Sequence, residues 1–327
     1  MSKGKKIYSW FTSRSYVTAF LILFIFSSIV FADRNFFSFN SLANLMRKAA
    51  SDGGFLALGM TFVILIGQID LSVGSVLALS GVVMAMFGNT NPLLGIILGL
   101  LVGIVCGLVT GWLVAKLRIS SWVATLAMML GLRGVVLLLT NKKPIPVENE
   151  VLKALGGESI ARINLLVYFL VILTLVCMHI ARNTRFGLGI YAVGGNEEAA
   201  KMMGLPVARI KIGAYTMCGL FSAIAGMLLG SRLLTCQPTA GDTWETTAIA
   251  MCALGGIKLS GGEGKFSGTF FGILIITVIT TIFNYAGNLN SWWQNIIMGV
   301  LILISIGVQS DVFKLKGRNG KKETETA

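Results

Sequence analysis

The sequence predicts an all-α polytopic membrane protein of about ten transmembrane helices, some broken or re-entrant, with both termini cytoplasmic. Composition is the first observation. Of 327 residues, 55% are hydrophobic and 13% charged, about half the charged share of a soluble domain. The second is length: apolar runs of about 20 residues recur throughout, enough to cross a hydrocarbon core roughly 30 Å thick as helices that satisfy their own backbone groups. The third is the placement of Lys and Arg. With both termini inside, 18 of the 27 basic residues fall on cytoplasmic segments. Seven fall outside (Arg34, Arg47, Lys48, Lys142, Lys143, Lys153 and Arg162), and Arg133 and Arg232 lie within or at the edge of a span. The opposite orientation inverts the bias, so topology accounts for the net charge of +13 and no nucleic-acid partner is needed.

The spans read as 16–32, 51–67, 71–88, 92–115, 119–140, 163–181, 212–232, 244–257, 266–285 and 292–310. They form a single transmembrane domain over 16–310, between tails at 1–15 and 311–327, with a cytoplasmic loop at 182–211. The first run follows Lys3, Lys5, Lys6 and Arg14 as in a signal peptide. It ends in "DRNFFSFN" with no small-x-small cleavage pattern, and reads as a retained span. The eighth is short for a full crossing, which points to a broken or re-entrant segment. Five cysteines without CxxC spacing suggest neither a disulfide framework nor a metal site.

Glycines repeat every fourth residue as Gly95, Gly99, Gly103, Gly107 and Gly111 on the fourth span. Cys218, Ser222, Gly226 and Gly230 do the same on the seventh, and Gly264, Gly268 and Gly272 begin the ninth. Such small-residue stripes let helix backbones approach closely.

Against this apolar background the polar groups stand out. "GQIDLSVGS" (67–75) places Asp70 between glycines, with Gln68 and Ser72 beside it. A carboxylate there either caps the third span or takes part in transport, and the two roles are compatible. "LGGIKLSGGE" weakly echoes this phrase later in the chain. "GGEGKFSG" fails the phosphate-binding loop pattern, since Phe266 follows Gly264-Lys265 where Ser or Thr is required. His179, the only histidine, has no evident membrane carboxylate for a relay. Arg133 must snorkel, pair or face a polar cavity. The loop "LLTCQPTAGDTWE" (233–245) carries Gln237 and no basic residue; it reads equally as a solvated loop or as the mouth of a pathway.

"GNEEAAKMMGL" (195–205) is a short charged helix. Asn196 suits the N-cap, Glu197 and Glu198 the first turn, Gly204 the C′ position, and Pro206 stops continuation. A helix of about seven residues is marginal alone in water and needs a surface to rest on. Its own membrane domain is one such surface, and a cytoplasmic partner is the other.

The phrases "GMTFVILIGQIDLSVGSVLALSG", "WVATLAMMLGLRGV", "NTRFGLGIYAVGGNEEAAKMMG", "QPTAGDTWETTAIA" and "LGGIKLSGGEGKFSGTFFG" resemble, in order, the permease subunits of ribose-type ABC importers. The resemblance spans about residues 15–310. It implies a dimer with a second permease copy or paralogue in a bacterial plasma (inner) membrane, surrounded by membrane lipid. It also implies two ABC ATP-binding subunits below, which hold ATP and Mg, and a periplasmic or lipid-anchored sugar-binding protein above. No cofactor and no catalytic or metal-binding residue is expected in this chain, which is a transport subunit and not an enzyme.

On the same basis Gly195, Asn196, Glu197, Glu198, Ala199, Ala200, Lys201 and Gly204 correspond to the region that meets the ATPase. Gln68, Asp70, Ser72 and Gln237 are the pathway candidates. Two departures bear on the pathway: Gly67-Gln68 stands where the family usually has two glycines, and "TWETTA" where an acidic phrase is common. Rival functions are an ion-coupled secondary sugar transporter, which needs more intramembrane acids than Asp70, and a membrane scaffold without translocation. Ribose is the first expectation for the cargo; other sugars, or a sugar-like signalling molecule such as autoinducer-2, are the alternatives.

Overall fold

A computed structural model describes residues 15–30, 38–286 and scattered positions between 293 and 307. Residues 1–14, most of the expected tenth span and the C-terminal tail lie outside the described residues. The chain is a bundle of helices: α1 Ser15–Val30, α2 Phe39–Ala49, α3 Phe55–Leu65, α4 Val73–Gly88, α5 Pro92–Ala115, α6 Ser121–Thr140 and α7 Glu150–Gly157. There follow α8 Leu165–Asn183, α9 Arg185–Gly195, α10 Glu197–Met202, α11 Val207–Leu233, α12 Trp244–Leu254 and α13 Phe266–Ala286. Among the described residues six helices are long and apolar enough to cross a membrane, the first of them α2 and α3 joined as Phe39–Leu65. α1 and α4 are shorter apolar helices.

α3 is the axis of the bundle. Every side chain from Phe55 to Leu65 is buried, which is why this segment is apolar all round. Its Phe62 packs on Phe266 with ring centroids 4.6 Å apart, and Thr61 shares a 2.8 Å hydrogen bond with Thr269. α5 lies along α11 with its glycines against the α11 backbone and the Ala223 and Met227 side chains. A Cβ on Gly103 would come within 2.4 Å of the Gly219 carbonyl oxygen, and one on Gly107 equally close to that of Tyr215. The fourth-span stripe is thus a backbone groove. The seventh-span stripe serves other neighbours: Gly226 abuts Leu77 of α4, and Gly230 abuts Cys236. At the periphery α6 turns Trp122, Leu130 and Leu138 outward and α8 turns Ile172 and Leu175 outward, as helices facing lipid must.

Several sequence boundaries are corrected. The second span begins at Phe39 rather than 51, capped by Ser38, whose side chain accepts from Ser41 N. α2 is amphipathic, with Leu42, Leu45, Met46 and Ala49 at helical spacing, so its mixed composition hid it from a search for unbroken apolar runs. A π turn over Ala50–Gly54 joins it to α3, and the helix kinks where Gly53 takes φ 105°. The segment 182–211 is not an open loop but carries α9, α10 and the first turn of α11. The connection at 141–164 holds α7 and a small antiparallel pair, β2 (Ser159–Ile160) with β3 (Ile163–Asn164). β1 (Ile145–Pro146) pairs with β4 (Thr235–Cys236), tying that connection to the end of α11. The eighth span is eleven residues, α12, about 16 Å of helix. It is too short to cross.

Candidate functional site: a capped helix and a two-sided partition

α10 folds as its capping residues dictate. The Asn196 side chain accepts from Ala199 N at 2.9 Å. Gly204 takes φ +78°, the left-handed turn that ends the helix, and its N–H donates to Lys201 O at 2.9 Å. Ala200 is fully buried and sets the inner face, while Met202 and Met203 are 82% and 68% exposed. Glu198 also points outward, and a Cβ on Gly195 or Gly204 would meet nothing within 4 Å. Ala199 lies half-buried between the two faces.

What holds this six-residue helix is an ion-pair chain. Glu197 reaches Lys211 Nζ at 2.7 Å and Lys201 Nζ at 3.2 Å, and Lys201 reaches Glu198 at 2.8 Å. Burial pushes the Glu197 carboxyl up, but the hydrogen bonds and charges of Lys211 and Lys201 outweigh this and hold it below the usual carboxylate range. Hydrogen bonds from Glu198 and Glu197 hold Lys201 above the usual ammonium range. Lys211, buried in the first turn of α11, was missed as a site residue. No helical spacing links it to Glu197 across the Gly204–Pro206 turn.

Immediately before α10, three glycine turns meet. Gly262 N donates to Leu65 O at 2.9 Å. A Cβ on Gly194 would fall 1.8 Å from that same oxygen and 2.6 Å from Gly262 N. Gly261 packs on Gly67, and Tyr191 donates to Gly264 O at 3.0 Å. The two similar phrases, 66–75 and 254–263, therefore lie against each other at the end of α9. α10 is linked through backbone to both.

Two cavities open at opposite ends of the bundle. At the α10 end, about 860 Å³ is lined by Gly67, Gln68, Ser121, Glu197, Lys201 and Lys211, among others. Gln68 thus shares a cavity with α10, and its buried Oε1 has no hydrogen-bond partner among the described residues. At the other end, about 240 Å³ is lined by Leu77, Gly226, Gln237, Thr239, Asp242 and Trp244, among others. Along α11, Lys211 and Gly226 line the two cavities fifteen residues apart, about 22 Å of rise.

Between the cavities lies the break before α4. Asp70 is 2% exposed and accepts from Ser72 N at 2.8 Å and Ser72 Oγ at 2.6 Å. It ties up the turn that feeds α4; the N-cap position belongs to Ser72, whose side chain makes no cap bond. Gly74 then abuts the carbonyl of Gly241, so the 237–243 segment folds inward onto the start of α4. Arg133 of α6 fixes it there, donating to Pro238 O at 2.7 Å and Ala240 O at 3.0 Å. That loop is built into the bundle, and the carbonyls are the partners Arg133 lacked in sequence. Gln68, Asp70 and Ser72 sit together; Gln237 stands apart on the opposite cavity.

Residues 42–306 match the family described as "Branched-chain amino acid transport system / permease component". The chain is 42% identical over 297 residues to the ribose import permease protein RbsC of Bacillus subtilis (strain 168), covering 88% of this chain and 90% of that protein. It is 38% identical over 308 residues to the ribose import permease protein RbsC of Escherichia coli (strain K12), covering 92% and 95%. It is 36% identical over 292 residues to the L-arabinose transport system permease protein AraH of the same strain, covering 89% and 88%. No solved structure matches at a significant level.

Proposed function

Because the chain belongs to the family of branched-chain amino acid transport system / permease components, we propose that it is the membrane-spanning subunit of an ABC importer for a monosaccharide. Ribose is the first cargo to test, since the relatives named for ribose and L-arabinose both handle pentoses. ATP and Mg are held by separate ATP-binding subunits, a sugar-binding protein delivers the cargo, and a second permease copy or paralogue completes the pathway. The chain sits in the bacterial plasma (inner) membrane with about ten spans and both termini, and hence α10, on the cytoplasmic side.

The observation that carries this function is the pair of opposed cavities with a glycine-hinged partition between them, backbone-linked to a helix whose outer face is open. Closure of the ATPases pushes α10, and the junction at Leu65, Gly194 and Gly262 passes the displacement to the break before α4. The partition then exposes its polar groups to one side or the other. Differential stabilisation of two states by nucleotide drives the cycle; the permease performs no covalent step. A neutral sugar asks for hydrogen-bonding and aromatic surface rather than a charged cage, as Gln237, Thr239 and Trp244 offer.

Proteoliposomes with and without the ATPase and binding protein test it. Sugar uptake that requires both partners and ATP is expected. Uptake by this chain alone under an ion gradient would overturn it.

A further inference from the structure

A third cavity, unrelated to the partition, opens at the end of the bundle opposite α10. About 270 Å³ is enclosed between α2, the end of α11 and the end of α13, with Ser41, Asn44, Arg47, Lys48, Arg232 and Asn284 on its walls. Three cations face it. Arg232 is already satisfied, 2.9 Å from Asp52 and bonded to Ser51. Among the described residues neither Arg47 nor Lys48 forms an ion pair, and the Arg47 Nε is buried with no hydrogen-bond acceptor. Lysine and arginine at the end of α2 suit that helix's negative pole. The dipole does not supply an acceptor to a buried guanidinium N–H, whose desolvation is otherwise uncompensated.

Depth identifies the acceptor. Arg47 lies eighteen residues from Leu65 across the kink at Asp52 and Gly53 of the joined helix Phe39–Leu65, at most about 27 Å of rise, comparable with a hydrocarbon core of about 30 Å. With Leu65 at the opposite face, a helix of that reach brings the Arg47 guanidinium toward the headgroup level. Phe39, Leu233 and Leu234, close by in sequence, expose about half their surface, which suits acyl chains. We propose that this cavity binds the phosphodiester headgroup of an anionic phospholipid, with Arg47 and Lys48 on the phosphate and Ser41, Asn44 and Asn284 on the glycerol hydroxyls.

The test is thermal unfolding of the delipidated, detergent-solubilised permease, titrated with short-chain phosphatidylglycerol, short-chain phosphatidylcholine or inorganic phosphate. The wild-type chain should gain several degrees from phosphatidylglycerol, less from phosphatidylcholine, and little from phosphate. Arg47→Gln with Lys48→Gln should abolish the phosphatidylglycerol gain, while Lys153→Gln, a base on α7 already paired with Glu150, should keep it. Should the double variant not fold, Lys48→Gln alone should lower the response and Arg47→Lys should retain part of it. An equal response to inorganic phosphate overturns the lipid assignment, leaving a simple anion site. A full lipid response in the double variant, with its defect appearing instead in docking of the sugar-binding protein, overturns it in favour of an acidic protein surface.

Discussion

Replacing Gly194 by alanine isolates the junction between α9 and the two glycine turns. The new Cβ would lie 1.8 Å from Leu65 O, 2.6 Å from Gly262 N and 2.9 Å from Leu65 C. All three are backbone atoms, so no side chain can swing away, and the contact must open by about 1 Å or more. Either the Gly262–Leu65 hydrogen bond parts, or α9 lifts off both turns and takes α10 with it. Overpacking of this kind costs about 1–3 kcal/mol. Alanine is a better helix former than glycine, so propensity works against the expected sign and cannot produce it. Gly195 is the internal control: its Cβ would meet nothing within 4 Å. In proteoliposomes carrying the whole importer, Gly194→Ala should hold its basal ATP hydrolysis and lose at least about tenfold in sugar imported per ATP, the scale of a change of about 1.4 kcal/mol. Gly195→Ala should import normally. A wild-type import ratio in Gly194→Ala would refute the junction as the route from helix to partition.

Other outcomes follow from the same geometry. Changing Glu197 and Glu198 together to lysine should uncouple ATP hydrolysis from uptake while the helical content by circular dichroism stays unchanged; normal ATP-driven uptake would remove charge from the coupling mechanism. The depressed Glu197 carboxyl implies a stabilising contribution that is full above its ordinary value of 4.5 and lost as pH falls through the lower folded value. The melting-temperature advantage of the wild-type chain over Glu197→Gln should therefore be constant near neutrality and shrink only below about pH 4.5, and a loss centred near neutrality would contradict the pairing. Arg133→Met should free the Pro238 and Ala240 carbonyls and raise the rate at which a membrane-impermeant maleimide labels a cysteine placed at Gln237. An unchanged rate would mean the loop holds itself.

The sequence made α10 legible to the residue, because capping is local: Asn196, the two glutamates and Gly204 act within one turn of themselves. The glycine groove of α5 was equally legible, since a period of four lies within one helix. What stayed hidden was pairing across distance. Lys211 belongs to a different helix from Glu197. The carbonyls that engage Arg133 lie more than a hundred residues away, and a carbonyl leaves no mark in a sequence. α2 was missed for another reason. Its alternation of Asn, Ser, Arg and Lys with leucine is the signature of an amphipathic helix, which an apolar-run criterion reads as loop. The kinship of "GQIDLSVGS" with "GGIKLSGGE" gained meaning only when the two were found in contact.

The backbone groove between α5 and α11 also constrains how the chain is made. Gly103 and Gly219 are contact partners, yet more than a hundred residues of synthesis separate them, roughly 6–20 s at ribosomal rates. Through that interval α5 waits in the bilayer with a row of bare glycine backbone facing lipid or a provisional neighbour. A bulky residue at Gly103 would therefore act twice, by blocking the final pair and by changing what shields the nascent helix. Insertion intermediates arrested before and after residue 233 should tell these two effects apart.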